Sequence, residues 1–404
     1  MEIVLQRFLK NEKGFSLFIV GIFLLLSAPS IASIFLLISL VFSIKKHKLG
    51  FLQNKWNYPF LIFGIILFVT VLIRTYFLKI NIADWEPYLN LVGLTNWLPF
   101  LLCFIFFQPY LNNSNKRKKV IYSYLSGSIP LFISGIGQKF FNWYGPFGIF
   151  NNIIIWFQRP LSIHEPMTGL FNNPNYTGSW LLLLLPFCLG CLKIKNIKPL
   201  RKLFLLIFLG LIIFSIVLTK SRNAFLGSFI TLPFLTNQST LILFVISALL
   251  IFLLNIISII FIAPKTIINF LIKIFPEFVF NHIDINILNF QTFSIESSPR
   301  LKIWFSATKL ISQEPILGWG SATFPLLFGK EEFNQWISHT HNIILELALS
   351  YGLIISSIFL ITCILIIFYS FFEIYIKNNH IENNILDRAW WTAFFTLFLS
   401  QMFD

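Results

Sequence analysis

Charged residues are scarce in this chain, and acidic residues are the scarcest of them. Only 11% of the 404 residues are charged, with 16 Asp and Glu against 30 Lys and Arg. A soluble globular domain has about a quarter of its residues charged, so the composition excludes that class. Apolar runs such as 241–263 and 343–367 are long enough to cross roughly 30 Å of bilayer hydrocarbon as helices. The sequence predicts an all-α, polytopic transmembrane helical bundle that forms a single membrane domain over residues 1–404.

Cysteine is also scarce. The four cysteines are Cys103, Cys188, Cys191 and Cys363, and all of them lie inside apolar runs. The spacing of Cys188 and Cys191 matches a redox motif, but the βαβ context of such a motif is missing. We interpret the pair as small packing residues. The first apolar run is followed at once by another, which indicates a first span and argues against a cleavable signal peptide.

Apolar segments predict about eleven membrane spans, at 15–28, 31–44, 58–73, 92–108, 120–136, 175–192, 203–219, 223–236, 241–263, 342–367 and 389–404. With the N-terminus inside, the short inner segments hold eighteen Lys and Arg, and the short outer segments hold six. Because positive charge favours the cytoplasmic side, we predict a cytoplasmic N-terminus and an extracytoplasmic loop over 264–341. The net charge of +14 follows from these basic loops, so membrane lipids are the predicted partners and nucleic acid is not.

The outer loop carries two predicted helices. Apolar residues recur on one helical face over 267–275, which is typical of a helix lying on the membrane surface. A second helix is predicted to begin at 298–299, and the Gly-Trp-Gly stretch at 318–320 then interrupts it. The loop is therefore expected to be structured, with short helices between the flanking spans.

Basic side chains stand at the ends of apolar runs, where they are costly and need a reason. Arg222, Arg300, His339 and His341 all fall on the predicted outer side. Arginine binds diphosphate oxygens through paired hydrogen bonds, and a neutral imidazole accepts a proton from a hydroxyl near neutral pH. We predict that Arg222, Arg300 and His341 converge on one outer cavity, within the span of a diphosphosugar head group.

Short motifs around these residues recur in a fixed order. They are GLFNNPN at 169–175, SRNA at 221–224, an arginine at the head of a helix at Arg300, PILGWG at 315–320, and HNIILE at 341–346 followed by Gly352. Together, over 170–355, they make the chain resemble the bacterial O-antigen ligase / O-antigen polymerase superfamily of membrane glycan transferases. The motifs do not separate ligase from polymerase. Members usually have about twelve spans with both termini cytoplasmic, whereas about eleven are predicted here and the last run, 389–404, is short, so we expect a truncated chain or a missing final hairpin.

The resemblance implies an enzyme of polysaccharide and lipopolysaccharide biosynthesis in the cell envelope. Such an enzyme, a multi-pass protein of the bacterial cytoplasmic (inner) membrane, transfers a glycan from a polyprenyl-diphosphate-linked donor to a lipid or glycan acceptor. The reaction takes place at the outer face, without a metal and with inversion at the anomeric carbon. The alternative is a secondary membrane transporter, because one cyanobacterial branch of the superfamily has been linked to bicarbonate transport.

The resemblance and the residue chemistry together assign roles to nine residues. The catalytic ones are His341, Arg300 and Arg222, and the substrate-binding ones are His339, Glu346, Asn175, Asn173, Lys220 and Trp319. In this interpretation His341 is a general base, and the two arginines hold the departing diphosphate. Glu346 is expected to be neutral or to orient His341 or an arginine.

Each role has a plainer structural alternative. Arg222 is alternatively a snorkelling anchor at the membrane boundary, and Arg300 a surface residue of a loop helix. His341 is alternatively a helix-start residue after an N-cap Thr340, with His339 pointing elsewhere on that helix. The asparagines at 173 and 175 are alternatively turn residues before a span.

No cofactor and no metal are predicted. The outer segments contain no Asp-x-Asp pair for a metal-bound nucleotide sugar. A metal site at His339 and His341 lacks a Cys or carboxylate partner at ligand spacing. Fixed arginine cations are expected to stabilise the diphosphate charge instead.

Overall fold

A computed structural model describes residues 2–80, 82–162, 165–236, 299–331, 337–377 and 381–403. Its α-helices are α1 (Glu2–Leu24), α2 (Pro29–His47), α3 (Asn57–Leu72), α4 (Leu89–Leu94), α5 (Leu98–Phe106), α6 (Gln108–Leu111), α7 (Ser114–Gly127), α8 (Ile129–Phe140), α9 (Pro174–Leu192), α10 (Pro199–Thr219), α11 (Arg222–Phe234), α12 (Pro299–Gln313), α13 (Phe324–Glu331), α14 (Ile343–Tyr351), α15 (Leu353–Phe371) and α16 (Ile381–Ser400). One short antiparallel hairpin joins β1 (Phe147–Ile149) to β2 (Ile154–Trp156). The predicted span 241–263 and the predicted surface helix at 267–275 lie outside the described residues.

Length and apolar composition make six of the described helical segments capable of crossing a membrane. They are Asn57–Phe77, Leu89–Phe106, Ser114–Phe140, Pro174–Leu192, Pro199–Thr219 and Leu353–Lys377. Two shorter apolar helices cover Lys13–Leu24 and Pro29–Lys45. The prediction of an all-α, polytopic membrane protein is confirmed.

The centre of the bundle is α9. Its residues Leu181, Leu182 and Leu184 are fully buried, in a core built mainly with α7, α10, α11 and α16. A helix that is apolar on all sides belongs inside such a bundle. The cysteine pair Cys188 and Cys191 lies in the same core, where both residues are fully buried.

The apolar run predicted as one span at 342–367 is broken at Gly352. In a continuous helix, residues 344 and 356 would lie about 18 Å apart, at 1.5 Å per residue. Instead the Ser356 hydroxyl donates to the carbonyl of Ile344 over 3.0 Å. The chain therefore turns back at Gly352, and α14 folds against the start of α15. The expectation of one straight helix was wrong, because hydropathy records apolar character but not direction.

Glycine is required at this reversal for two reasons. Gly352 has φ +95°, and a Cβ added there would stand 1.9 Å from the carbonyl oxygen of Ile316. That φ is strained for a residue with a side chain. The Leu353 N–H donates to the Pro315 carbonyl over 2.8 Å, which ties the reversal to the loop that follows α12.

The two ends of the helical core differ in chemistry. At the end where α11 stops, Lys193 donates to the Leu235 carbonyl over 2.5 Å, and Arg388 donates to the Thr236 carbonyl over 3.5 Å. Cations near the last carbonyls of a helix are favourable. The opposite end, where α9 and α11 begin and α16 stops, holds most of the motif residues.

Candidate active site

Arg222 is placed by a tight junction between two helices. The left-handed Lys220, with φ +51°, ends α10, and the Ser221 hydroxyl accepts the Ala224 N–H over 3.3 Å as the N-cap of α11. Arg222 is the first residue of α11, and its side chain is exposed. Its positive charge therefore stands beside the positive end of a helix dipole, which favours an anion there.

His341 lies just before α14. The N-cap of that helix is Asn342, whose Oδ1 accepts the N–H groups of Ile344 and Leu345 over 2.9 and 3.1 Å. The alternative that placed the N-cap at Thr340 was therefore wrong. His341 itself has φ +55°, a left-handed backbone that is uncommon for a residue with a side chain. Strain of this kind is typical of functional segments.

Glu346 holds the histidine segment in place. Its Oε2 accepts the backbone N–H of Thr340 over 3.0 Å, and the Thr340 hydroxyl donates to the Asn342 carbonyl over 3.0 Å. A carboxylate that accepts a backbone N–H fixes the loop between them. In this structure Glu346 positions the backbone on which both histidines stand.

The two histidine rings lie side by side. Their centroids are 4.2 Å apart with planes inclined by 57°, and the His341 N–H donates to Nδ1 of His339 over 3.2 Å. The alternative in which His339 points elsewhere on the helix was wrong, because both residues precede the helix and do not share its periodicity. Within the described ranges, no group of three or more His, Cys, Asp and Glu residues is arranged to hold a metal ion.

The end of α16 joins the arginine motif to the histidine motif. Asn223 donates to the Ser400 carbonyl over 2.9 Å and to the Ser400 hydroxyl over 2.8 Å. Asn342 donates to the Met402 carbonyl over 3.0 Å. Each asparagine directly follows a predicted catalytic residue, so two motifs far apart in sequence are bound to the same turn of chain. We call residues 400–403 the anchoring turn.

Two further helices reach the anchoring turn. The Ser179 hydroxyl of α9 is 3.4 Å from that of Ser400. The indole ring of Trp304 in α12 is 5.9 Å from the ring of Phe403. Arg300 is one helical turn before Trp304 and therefore on the same side of α12. The first two turns of α9, α11, α12 and α14 thus gather at one place.

The resulting electrostatics favour an anion. A helix N-terminus carries a partial positive charge of about half a unit and a C-terminus the opposite charge. The N-termini of α11 and α14 reach the anchoring turn directly, α9 and α12 reach it with their second turns, and the C-terminus of α16 offsets one of the positive ends. Arg222 and Arg300 add two full charges. The segments that carry Arg222, Arg300 and His341 are brought together, while the distances between their functional atoms stay a prediction.

The other predicted binding residues fall into two groups. Asn173 is the N-cap of α9 and accepts the Asn175 N–H over 2.8 Å, so its side-chain oxygen serves the helix start. Trp319 donates its indole N–H to the Leu310 carbonyl over 2.8 Å. This bond holds the loop between α12 and α13 against α12. Asn175 and Lys220 stand at the ends of helices beside the gathered motifs.

Sequence reasoning missed the anchoring turn. Ser400 and the residues after it looked like the end of a short last span. The signal that was available is the repetition of a basic residue followed by asparagine, as Arg222-Asn223 and as His341-Asn342. A short amide side chain after each basic residue is suited to binding backbone carbonyls.

Comparison with known families agrees with this geometry. A family model described as O-antigen ligase matches residues 204–360, a segment that contains Arg222, Arg300 and both histidines. The motif at 169–175 lies upstream of the match. A search among curated proteins found no match to the chain. The resemblance carried by the motifs is confirmed, because residues 204–360 of this membrane protein match the model of the O-antigen ligase family.

Proposed function

We propose that this protein transfers a glycan from a polyprenyl-diphosphate donor to a lipid or glycan acceptor at the outer face of the cytoplasmic membrane. The family match supports glycan transfer of the O-antigen ligase or polymerase type in general. The observation that carries the finer proposal is the anchoring turn, which binds Asn223 and Asn342 and so joins an arginine motif to a histidine motif.

The diphosphate of the donor is held by fixed positive charge. Arg222 and Arg300 supply planar guanidinium groups that match phosphate oxygens in pairs. The dipoles of α11 and α14 add partial positive charge beside the same anion, while their first N–H groups are bound by the caps and by the anchoring turn. These positive charges stabilise the charge that develops on the diphosphate as it leaves.

His341 acts as the general base. The acceptor hydroxyl oxygen attacks the anomeric carbon of the donor sugar, and its proton passes to the imidazole of His341. The bond between that carbon and the diphosphate oxygen breaks, and the diphosphate leaves with the electron pair. Glu346 keeps the histidine segment in register through its hydrogen bond to Thr340.

The site is proposed to face the extracytoplasmic side. The helix ends that carry Lys193 and Arg388 lie at the opposite end of the bundle from Arg222. Basic short segments favour the cytoplasm, and eighteen of the Lys and Arg residues in short segments fall on the predicted inner side, against six on the other. The gathered motifs then lie on the outer side, where the loop 264–341 is predicted.

A transfer assay tests the proposal. Purified protein in detergent is given a labelled polyprenyl-diphosphate glycan and an acceptor, and transferred label is measured. Loss of a general base costs roughly 10²–10⁴-fold in rate, so we expect His341→Ala to lose most activity while it still inserts into membranes and binds donor. Turnover at the wild-type rate in this variant would contradict the assigned role.

A secondary transporter, for example one related to bicarbonate transport, is the second candidate. Transporters use broken helices and buried carboxylates, and here α14 turns back at Gly352 close to Glu346. Reconstituted protein separates the two. Glycan transfer without solute uptake supports the transferase, whereas bicarbonate uptake that is lost in Glu346→Gln, without transfer, supports the transporter.

A further inference from the structure

A groove runs between α8 and α10 on the lipid-facing side of the bundle. Its volume is about 370 Å³, and its lining includes Phe132, Ile133, Trp143, Phe204, Ile207 and Leu211. Both helices belong to segments that are long and apolar enough to span a membrane. Every lining residue is apolar or glycine, so within a bilayer the groove is suited to hydrocarbon.

The walls of the groove are rich in aromatic rings. Phe132 and Phe208 meet edge to face with centroids 5.0 Å apart, and Phe204 lies 5.9 Å from Phe208. Flat rings give rigid apolar walls at low cost in conformational entropy. A groove with such walls is suited to a hydrocarbon chain.

The outer end of the groove leads to positive charge. Phe140 and Phe214 stack across the gap between the helices, with centroids 6.1 Å apart and planes within 10°. Lys139 precedes Phe140 in the last turn of α8, and Lys220 ends α10. Lys139 donates to the Glu165 carbonyl over 2.8 Å, and two residues further along, the chain is hydrogen-bonded to the last turn of α10, so one segment links the two helix ends that carry the lysines.

Two like charges held together favour an anion between or beside them. Lys220 is followed at once by Ser221 and Arg222, which begin α11. The apolar groove, the lysine pair and the proposed diphosphate site therefore follow one another along α10 and into α11. The order matches that of a lipid diphosphate, with hydrocarbon first and anionic head group last.

We propose that the groove between α8 and α10 holds the hydrocarbon tail of a polyprenyl diphosphate, and that Lys139 and Lys220 bind its phosphate end. This inference rests on the proposed function and adds to it a binding site for the tail and a second cation, Lys139. The two lysines and Arg222 at the helix ends next to the groove favour a lipid that carries the higher charge of a diphosphate over a phospholipid.

Binding measurements test the groove without relying on glycan transfer. Undecaprenyl diphosphate and the short-chain farnesyl diphosphate are titrated calorimetrically into purified protein in detergent. The groove is blocked by Ile207→Trp, and the matched control is Leu206→Trp. The two positions are neighbours on α10 and similarly exposed, at 58% and 49%, but only Ile207 lines the groove.

Ile207→Trp is expected to weaken undecaprenyl diphosphate binding by at least about tenfold, the equivalent of losing contact with two methylene groups. Binding of farnesyl diphosphate should change little, and Leu206→Trp should leave both affinities unchanged. Lys139→Gln should weaken both ligands, because it acts on the phosphate end. If Ile207→Trp fails to fold, Ile133→Trp on the opposite wall makes the same measurement.

The outcomes separate this inference from the proposed function. Equal affinities for undecaprenyl diphosphate in Ile207→Trp, Ile133→Trp and Leu206→Trp would overturn the proposed tail site. The proposed function would still hold if the wild-type protein transferred glycan. If an equal amount of phosphatidylglycerol displaced undecaprenyl diphosphate, the assignment of the groove to a polyprenyl tail would be wrong. Absence of any polyprenyl diphosphate binding by the wild-type protein would overturn both.

Discussion

The chemistry of the site depends on which cation stands at position 300. Arg300 lies in the first turn of α12, and its planar fork matches a diphosphate in a way that a point charge does not. We expect Arg300→Lys to lower transfer by more than about tenfold although the charge is kept. The control is Lys309→Arg, which exchanges the same two residue types in the opposite direction at an exposed position of the same helix. It should leave the transfer rate unchanged. Full activity of Arg300→Lys in the transfer assay would show that charge alone suffices there.

Asparagine 342 is predicted to act through its neighbour. It caps α14 and binds the Met402 carbonyl, so removing it loosens the histidine segment and leaves the Ile343 N–H bond to the Gln401 carbonyl as the remaining link to the anchoring turn. Loss of an N-cap costs about 1 kcal/mol of stability. Asn113 is the N-cap of α7, and its side chain accepts the Lys116 N–H over 2.8 Å. It lies away from the gathered motifs and therefore provides a matched comparison.

Both Asn342→Ala and Asn113→Ala are expected to lower the thermal stability of the purified protein by similar amounts. Only Asn342→Ala should also lower kcat, because it disturbs the histidine segment. Equal kcat values in the two variants would mean that the anchoring turn has a structural role alone. Paired melting curves and transfer rates decide the matter.

At the scale of the element, the reversal at Gly352 determines where the histidines lie. With φ +95° and a neighbouring carbonyl 1.9 Å from an added Cβ, Gly352→Ala is expected to destabilise the protein by more than about 1 kcal/mol. Gly210, within α10, has no atom within 4 Å of such a Cβ, so Gly210→Ala should stabilise by up to about 1 kcal/mol. A Gly352→Ala protein that melts and turns over like wild type would show that the reversal is not needed.

The helices themselves could be predicted far better than their arrangement. The apolar runs 175–192 and 203–219 correspond closely to Pro174–Leu192 and Pro199–Thr219, because about twenty apolar residues are what a membrane span requires. The only sequence signal for the reversal at Gly352 is the glycine itself. Its direction is set by contacts with Pro315 and Ile316, which no local pattern records.

The candidate site was predictable as separate parts. Arg222, Arg300 and His341 were found from their motifs and from the chemistry of their side chains. The contact that brings their segments together was not, because it depends largely on the backbone carbonyls of Ser400 and Met402, and any residue type provides such a carbonyl. The Ser400 hydroxyl adds one acceptor for Asn223, but a lone serine near the end of an apolar run does not indicate such a contact.

At the scale of the whole molecule, the proposed chemistry needs no divalent ion. Fixed arginines and helix N-termini supply the positive charge. We therefore expect transfer to persist in the presence of a metal chelator at constant ionic strength. Activity that falls with chelator and returns with a divalent ion would point to metal-assisted chemistry, with His339 and His341 as ligands.

The orientation of the bundle in the membrane is the last prediction. The gathered motifs and the basic helix ends lie at opposite ends of the described helices, so one impermeant label can separate the two sides. In a cysteine-free background, Ser338→Cys stands beside His339, and Ser114→Cys stands at the start of α7 among basic residues. Both serines are exposed. In intact cells we expect an impermeant thiol reagent to label Cys at 338 and to reach Cys at 114 only after permeabilisation. The reverse labelling pattern would place the histidines on the cytoplasmic side and would contradict transfer at the outer face of the membrane.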